Sequence, residues 1–340
     1  MRSEPGTRPR VTAIMIFLNG EQFLAEAIDS VLGQTLTDWE LILVDDGSTD
    51  GATAIAQSYA RRFSDKICYT EHPGHENRGM SASRNRGIAL ARGDTIAFLD
   101  ADDIWLPRRL AAHMTVLDAH PEVGLVMGPT LWWRSWAAKG GNARVAWQHI
   151  DVPREQGLPT HQVIDAPAVA ISFLESHGTA LCGICSLTAR RDEVLAAGGF
   201  NDEFRTLYED QVFEFRMCLR SKVWVVDEIL DQYRQHPDSA CNMEGRRSGD
   251  ARMRPIFLAW LQGHLVESGC KDERLWRAFC AEMYRLERPR SLTWRELPKR
   301  AKSWWNVNGR RTMMFVLTPR LYNRLRYTFG LSYVDPGSVR

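Results

Sequence analysis

Short apolar runs alternate with longer stretches of helical period through the first 130 residues. Val11 to Leu18 reads as a buried strand, and Phe23, Leu24, Ala27, Ile28, Val31 and Leu32 then recur on one face of a helix. Leu41 to Val44 is the next strand, followed by a helix from about Ala52 to Phe63 and a strand at Ile67 to Thr70. A third helix from about Ser81 to Ala91 leads to a fourth strand at Thr95 to Leu99. Strand and helix in strict alternation predict a mainly parallel sheet covered by helices on both faces.

Ligands of such sheets bind beyond the carboxyl ends of the strands, and the polar clusters fall there. Strand two ends in Asp45-Asp46-Gly47-Ser48, strand three runs into His72-Pro73-Gly74-His75-Glu76-Asn77-Arg78-Gly79, and strand four ends in Asp100-Ala101-Asp102-Asp103. Beyond residue 130 the pattern loosens. Trp132, Trp133 and Trp136 can share one helix face, as core or as an exposed aromatic platform. A short helix at Asp192 to Leu195 stops at Gly198-Gly199, and Tyr208 to Leu219 reads as a helix with Glu209 and Asp210 in its first turn. A strand at Val223 to Val226 follows, and from about residue 250 only helices are expected. The expected organisation is a flexible N-terminus over 1–9, a catalytic domain over 10–245 and a helical C-terminal region over 246–340.

Composition changes this picture little. With 340 residues, 44% hydrophobic and 25% charged, the chain can bury a sizeable core, and a net charge of +1 argues against a nucleic-acid partner. The charge is uneven, however. From Arg288 onward twelve cations face two acids, with Trp294, Trp304, Trp305, Phe315, Tyr322, Tyr327 and Phe329 among them. That segment suits either an anionic membrane surface or an acidic protein face. Seven scattered cysteines fit a reducing compartment, and Cys182-x-x-Cys185 lacks a second pair and lies in an apolar stretch. With neither a signal peptide nor a spanning segment, the expectation is a cytoplasmic protein, peripheral at most on the inner face of the membrane.

Asp100 and Asp102, two apart in an extended segment, point to the same side and can face one divalent cation beside a phosphate. The plainer alternative is that Asp102 or Asp103 caps a helix near Pro107. His72 and His75 sit in a Pro-Gly loop and are read as loop residues.

Context sharpens the reading. Asp45-Asp46-Gly47-Ser48-Thr49-Asp50 after a strand, Asn77-Arg78-Gly79 with Ser83-Arg84-Asn85-Arg86-Gly87, Phe98-Leu99-Asp100-Ala101-Asp102-Asp103, Gly198-Gly199-Phe200 and Glu209-Asp210 occur in one order. Together, over about residues 10 to 240, they resemble the family 2 glycosyltransferases. The resemblance implies an α/β fold of the GT-A type and inverting transfer of a sugar from a nucleoside diphosphate, UDP-sugars being the common donors. It implies nucleotide binding by Asp46, Asp45, Arg84, Asn85 and Asp100, and Mn²⁺ or Mg²⁺ held by Asp102 and Asp100, with His236 resembling a histidine that completes the metal site in some members. Asp210 matches the catalytic base, with Glu209 the second choice; either acid could instead simply favour its helix N-terminus. Trp132 and Trp133 are weak acceptor candidates.

Two departures matter. The first strand ends in Ile16-Phe17-Leu18-Asn19, without the tyrosine that often stacks on the base, so the nucleotide is less defined. No Gln-x-x-Arg-Trp signature of processive synthases is present, which points to transfer of a single sugar to a glycan or lipid-linked hydroxyl. The rivals are a sugar-phosphate nucleotidyltransferase, which would be expected to carry a Gly-rich, Arg-containing loop after the first strand, and a non-catalytic scaffold.

Overall fold

The computed structural model describes residues 8–140, 150–176, 182–205, 207–239 and 246–287. It divides into two compact units, residues 1–244 and 245–340. In the first, β1 (Val11–Phe17), α1 (Leu24–Leu32), β2 (Trp39–Asp45), α2 (Ala52–Arg62), β3 (Ile67–Glu71), α3 (Met80–Leu90) and β4 (Thr95–Asp100) follow the alternation read from the sequence. Every residue of β1 and β2 is buried, as expected of parallel strands covered on both faces. Helix α1 turns Leu24, Ala27, Ile28 and Val31 into the core. Helix α3 lies hard against β1: a Cβ on Gly87 would stand 2.5 Å from Ile14 Cγ2.

The second half is less regular. It runs β5 (Ile104–Trp105), α4 (Arg109–Ala119), β6 (Val123–Met127), β7 (Thr130–Trp133), β8 (Val152–Arg154), β9 (Val163–Ile164), α5 (Ala168–Glu175), β10 (Thr188–Arg190), α6 (Arg191–Ala196), α7 (Glu209–Arg220), β11 (Lys222–Val225) and β12 (Asp231–Arg234). Eight strands form one sheet in the order β3-β2-β1-β4-β10-β6-β11-β9. Within it β10 is antiparallel to both β4 and β6, and β9 is antiparallel to β11. A second sheet has the order β5-β12-β7-β8. In the large sheet the chain winds outward from β1 to β3 and then crosses back to β4. The crevice beyond the carboxyl ends of β1 and β4 is therefore the switch point at which α/β sheets bind ligands.

One sequence reading is corrected here. Trp132 and Trp133 lie on strand β7, not on a helix, so their rings face opposite sides of the small sheet. Their spacing fits either period, and pairing of β7 with β8 and β12 settles it. The helix-cap alternative for Asp102 or Asp103 also fails. Helix α4 starts at Arg109 without a side-chain cap, and Asp103 turns into the core instead.

The second unit has helices α8 (Arg246–Glu267) and α9 (Glu273–Glu287), joined by Arg254 Nε and Nη2 on Glu282 Oε1 at 2.9 and 2.6 Å. The basic aromatic segment from Arg288 onward lies outside the described residues. Among the described residues no helix is long and apolar enough to cross a membrane.

Candidate active site

Loops at the carboxyl edge are built before any ligand arrives. Asn19, in a left-handed conformation (φ 52°), accepts from Thr49 N–H at 2.7 Å, and its own N–H donates to Ser48 Oγ at 3.0 Å. Asp46 is buried and its carboxylate accepts from the N–H groups of Arg78 (2.8 Å) and Gly79 (3.0 Å) and from Ser83 Oγ (3.0 Å). The β2 terminus thus holds the segment leading into α3. Gly79 needs to be glycine: its φ is 89° and a Cβ would stand 3.0 Å from Arg205 O. Asp45 is fully enclosed, accepting from Ser48 N–H at 2.8 Å, Thr53 Oγ1 and Tyr69 OH. His72 is buried against Ser83 Oγ (2.9 Å), and burial pushes its pKa down, although Asp46 pulls the other way.

His75 ties two of these loops together. Its Nδ1 is 2.9 Å from Glu71 Oε2 and its Nε2 2.7 Å from Ser48 O, and both partners only accept. A neutral imidazole has one N–H, so only the imidazolium satisfies both. The Ser48 carbonyl and then Glu71 raise its pKa above 6.5. The latch is therefore complete below pH 6.5 and is lost as pH rises through the raised value. A proton NMR titration of the His75 ring is expected to give a midpoint above 6.5; a midpoint at or below it would mean that only one nitrogen is held.

The acids converge on Arg84. Its buried guanidinium places Nη2 2.6 Å from Asp100 Oδ1 and Nη1 2.5 Å from Glu209 Oε1. Burial would lower the guanidinium's pKa, but Glu209 and Asp100 more than offset this, so it stays charged. Burial pushes Glu209 up to about 8 against the pull of Arg84. Asp210, half-buried, is also raised by burial and lowered by Arg84 and by the Gln211 N–H, which donates to its Oδ1 at 2.8 Å. Tyr208 makes this turn possible. Its left-handed backbone (φ 68°) redirects the chain just before α7, so that Glu209 faces inward.

Asp102 Oδ2 is 2.9 Å from His236 Nε2. Asp100, raised by burial against the pull of Arg84 and raised further by the charge of Asp102, is about as open as Asp102, at 31% and 29% of the side chain. Two carboxylates and an imidazole are a donor set that suits Mn²⁺ or Mg²⁺. Among the described residues, the ligand-type atoms that lie within 4.8 Å of one another are not those of this trio but those of Asp45, Glu71 and His75, and of a cluster of Asp100, Asp103 and Cys185. The chemistry of this last cluster is otherwise. Cys185 Sγ donates to Asp103 Oδ2 at 3.0 Å, Asp103 Oδ1 accepts from Arg234 N–H at 2.8 Å, and burial pushes both the thiol and the carboxyl well up. This is a hydrogen-bonded prop beneath the acidic loop.

Other sequence candidates lie elsewhere. Asn85 clasps the Gly199-Phe200 turn: its Oδ1 accepts from Phe200 N–H at 2.9 Å, and its Nδ2 donates to Phe200 O at 3.0 Å and Asp202 Oδ1 at 2.9 Å. Trp133 is buried and packs on Arg234 at 4.4 Å, which removes it from the acceptor candidates because a sealed ring cannot stack on a sugar. Trp132, half-exposed, lies between the guanidinium groups of Arg134 and Arg154 at 5.6 and 5.4 Å. Sequence reasoning has Asp103 only as a member of the acidic run or a helix cap and Cys185 only as half of a Cys-x-x-Cys pair in an apolar stretch, and gives Arg234, two residues before His236, no role.

A switch-point crevice with paired acids at the end of β4, an acidic pair opening α7 and a β10 that reverses the sheet define the GT-A fold of nucleotide-sugar transferases. Solved structures bear this out: TarS 1–349 from S. aureus in complex with UDP-GlcNAc has a TM-score of 0.57 at 17% identity, covering 96% of this chain and 93% of that one. The mannosyltransferase PcManGT from Pyrobaculum calidifontis, in complex with GDP-Man and Mn²⁺, has a TM-score of 0.52 at 16% identity, covering 96% and 89%. Residues 12–155 match the model described as Glycosyl transferase family 2. The glycosyltransferase EpsE of Bacillus subtilis is 44% identical over 112 residues, 33% of this chain and only 40% of the length of that relative.

Proposed function

We propose that this protein transfers a single sugar, with inversion, from a nucleoside diphosphate donor to a hydroxyl of a glycan or lipid-linked acceptor. The observation that carries the reading is Arg84: one buried guanidinium joins the acid at the end of β4 to the acidic pair that opens α7. A donor-side group and an acceptor-side group are thereby held at a fixed separation. Inversion needs a base on one face of the anomeric carbon and charge stabilisation of the leaving group on the other.

In this reading Asp102, Asp100 and His236 hold Mn²⁺ or Mg²⁺. When bound, the cation neutralises charge on the departing diphosphate. Asp210 takes the proton of the acceptor hydroxyl, and Glu209 is kept from that role by its contact with Arg84. Asp100 faces the nucleoside, while Asp46, Asp45 and Asn85 contribute by shaping the loops around it. A UDP-sugar is the favoured donor in this reading. Trp132 is the remaining acceptor candidate. The basic region after Arg288 would meet the membrane surface at the inner face, bringing a lipid-linked acceptor within reach.

The test is thermal stability with UDP, GDP, CMP and dTDP, each with and without Mn²⁺. A ligand that binds only the folded state at a hundred times its Kd adds about 2.7 kcal/mol. One diphosphate is expected to raise the midpoint in a metal-dependent way, and Asp102→Ala is expected to abolish the metal dependence. Absence of any shift at millimolar nucleotide would favour a scaffold without turnover.

A further inference from the structure

Arg234 is 3% exposed in its side chain and is used on every side. Its backbone N–H donates to Asp103 Oδ1 at 2.8 Å, its Nε to the carbonyl of Asp102 at 2.7 Å, and its Nη2 to Glu26 Oε2 at 2.5 Å. The guanidinium lies among three aromatic rings, Trp133 at 4.4 Å, Phe23 at 4.6 Å and Trp136 at 5.1 Å. Two residues further on, His236 meets the carboxylate of Asp102 and packs on Phe23 at 4.9 Å. The end of β12 and the residues just beyond it thus grip Asp102 twice, by its peptide and by its side chain.

We propose that Arg234 is a positioning residue for the donor-side cation site: it fixes the Asp102 peptide so that the carboxylate faces His236 and the cation. The proposal rests on the reading of Asp102, Asp100 and His236 as cation ligands. The charge balance favours this role. Glu26 answers the charge of Arg234, so the guanidinium orients Asp102 through its carbonyl and leaves the carboxylate for other partners. A buried guanidinium aimed at the carboxylate itself would compete with a cation; this one does not. Lysine could not substitute, because a single ammonium cannot bond the Asp102 carbonyl and Glu26 along a fixed fork while lying flat among three rings. Helix α1 enters the site in this way, through Phe23 and Glu26, although neither touches Asp102 directly in the hydrogen-bond network.

The test measures Mn²⁺ binding to the purified full chain by electron paramagnetic resonance, with UDP binding in the absence of metal measured alongside. Arg234→Lys is expected to weaken Mn²⁺ by about tenfold or more, in the range seen when groups supporting metal ligands are removed, while metal-free UDP affinity stays within about twofold. Glu26→Gln, at a half-exposed helix position, is expected to keep the fold and to weaken Mn²⁺ measurably, by less than Arg234→Lys; it decides the matter if Arg234→Lys does not fold. If both variants lose thermal stability but keep wild-type Mn²⁺ affinity, Arg234 is only a core contact and the proposal is overturned. If wild-type protein and Asp102→Ala bind Mn²⁺ equally, the cation-site reading itself fails and this proposal falls with it.

Discussion

Asp210→Asn is expected to lower kcat by about 10²- to 10⁴-fold with donor KM nearly unchanged, the range for loss of a general base. Asparagine keeps the volume of the side chain and an oxygen to accept the Gln211 N–H, so α7 should begin as before. What is lost is a carboxylate able to take a proton. Burial raises the pKa of Asp210 above its ordinary 3.8, so wild-type activity should climb with pH on the acid limb through that raised value and then level off. The variant should lack this limb. Glu209→Gln is the necessary comparison, since Glu209 faces Arg84 and serves as an anchor in this reading. Single-turnover rates of both variants across pH 4 to 9 decide between them. Should Asp210→Asn keep more than about a tenth of kcat while Glu209→Gln abolishes turnover, the two acids would exchange roles.

Arg84→Met should produce the largest loss of stability, about 3 to 5 kcal/mol at pH 8, because removing one partner of a buried ionic cluster strands the others. Asp100 and Glu209 would then share a site with no cation among the residues that now neutralise them. The sign of the pH effect follows from Glu209. Its folded pKa already lies at about 8, above the ordinary 4.5, and without Arg84 it must rise further. Wild type and variant both hold this proton from 4.5 to about 8 and lose stability alike over that range; above about 8 the wild-type carboxyl ionises and the variant's does not, so the Glu209 part of the deficit opens there. Urea unfolding should therefore show a deficit that widens as pH rises from about 7 to about 9. Adding Glu209→Gln to Arg84→Met should recover part of the loss at pH 8. A deficit below about 1 kcal/mol at pH 8 would mean that water already solvates the cluster.

The first half of the fold was legible because its strands are continuous apolar runs and its helices carry one apolar face. β1 and β2 have no other way to bury Val11 to Phe17 and Trp39 to Asp45. The second half offered no such signal. Strand β12 reads Asp-Gln-Tyr-Arg, polar throughout, since it pairs in a small sheet and carries Arg234 into an aromatic cage. Strand β10 has only three residues. The acids of the site were legible as types at the ends of strands, but their directions were not. Nothing in the spacing of Asp45 and Asp46 says that both would be taken up by N–H and hydroxyl groups of their own domain, nor that Asn85 would turn from the nucleotide side to clasp Phe200. Those outcomes depend on loops folding back from positions distant in sequence.

The insertion of β10 between β4 and β6 has a consequence for how the chain is made. Strands β1 to β4 are mutual neighbours and can assemble as they leave the ribosome, but the outer edge of β4 waits for Thr188 to pair with Ala97. Until then it presents unpaired backbone groups, the kind of edge that recruits other chains. The segment matching the family, residues 12–155, contains β4 and β6 but not the strand that joins them. The matching segment is in this sense an unfinished sheet: the three residues of β10 that join its two parts, like the outer strands β11 and β9, come from a part of the chain that the match does not reach.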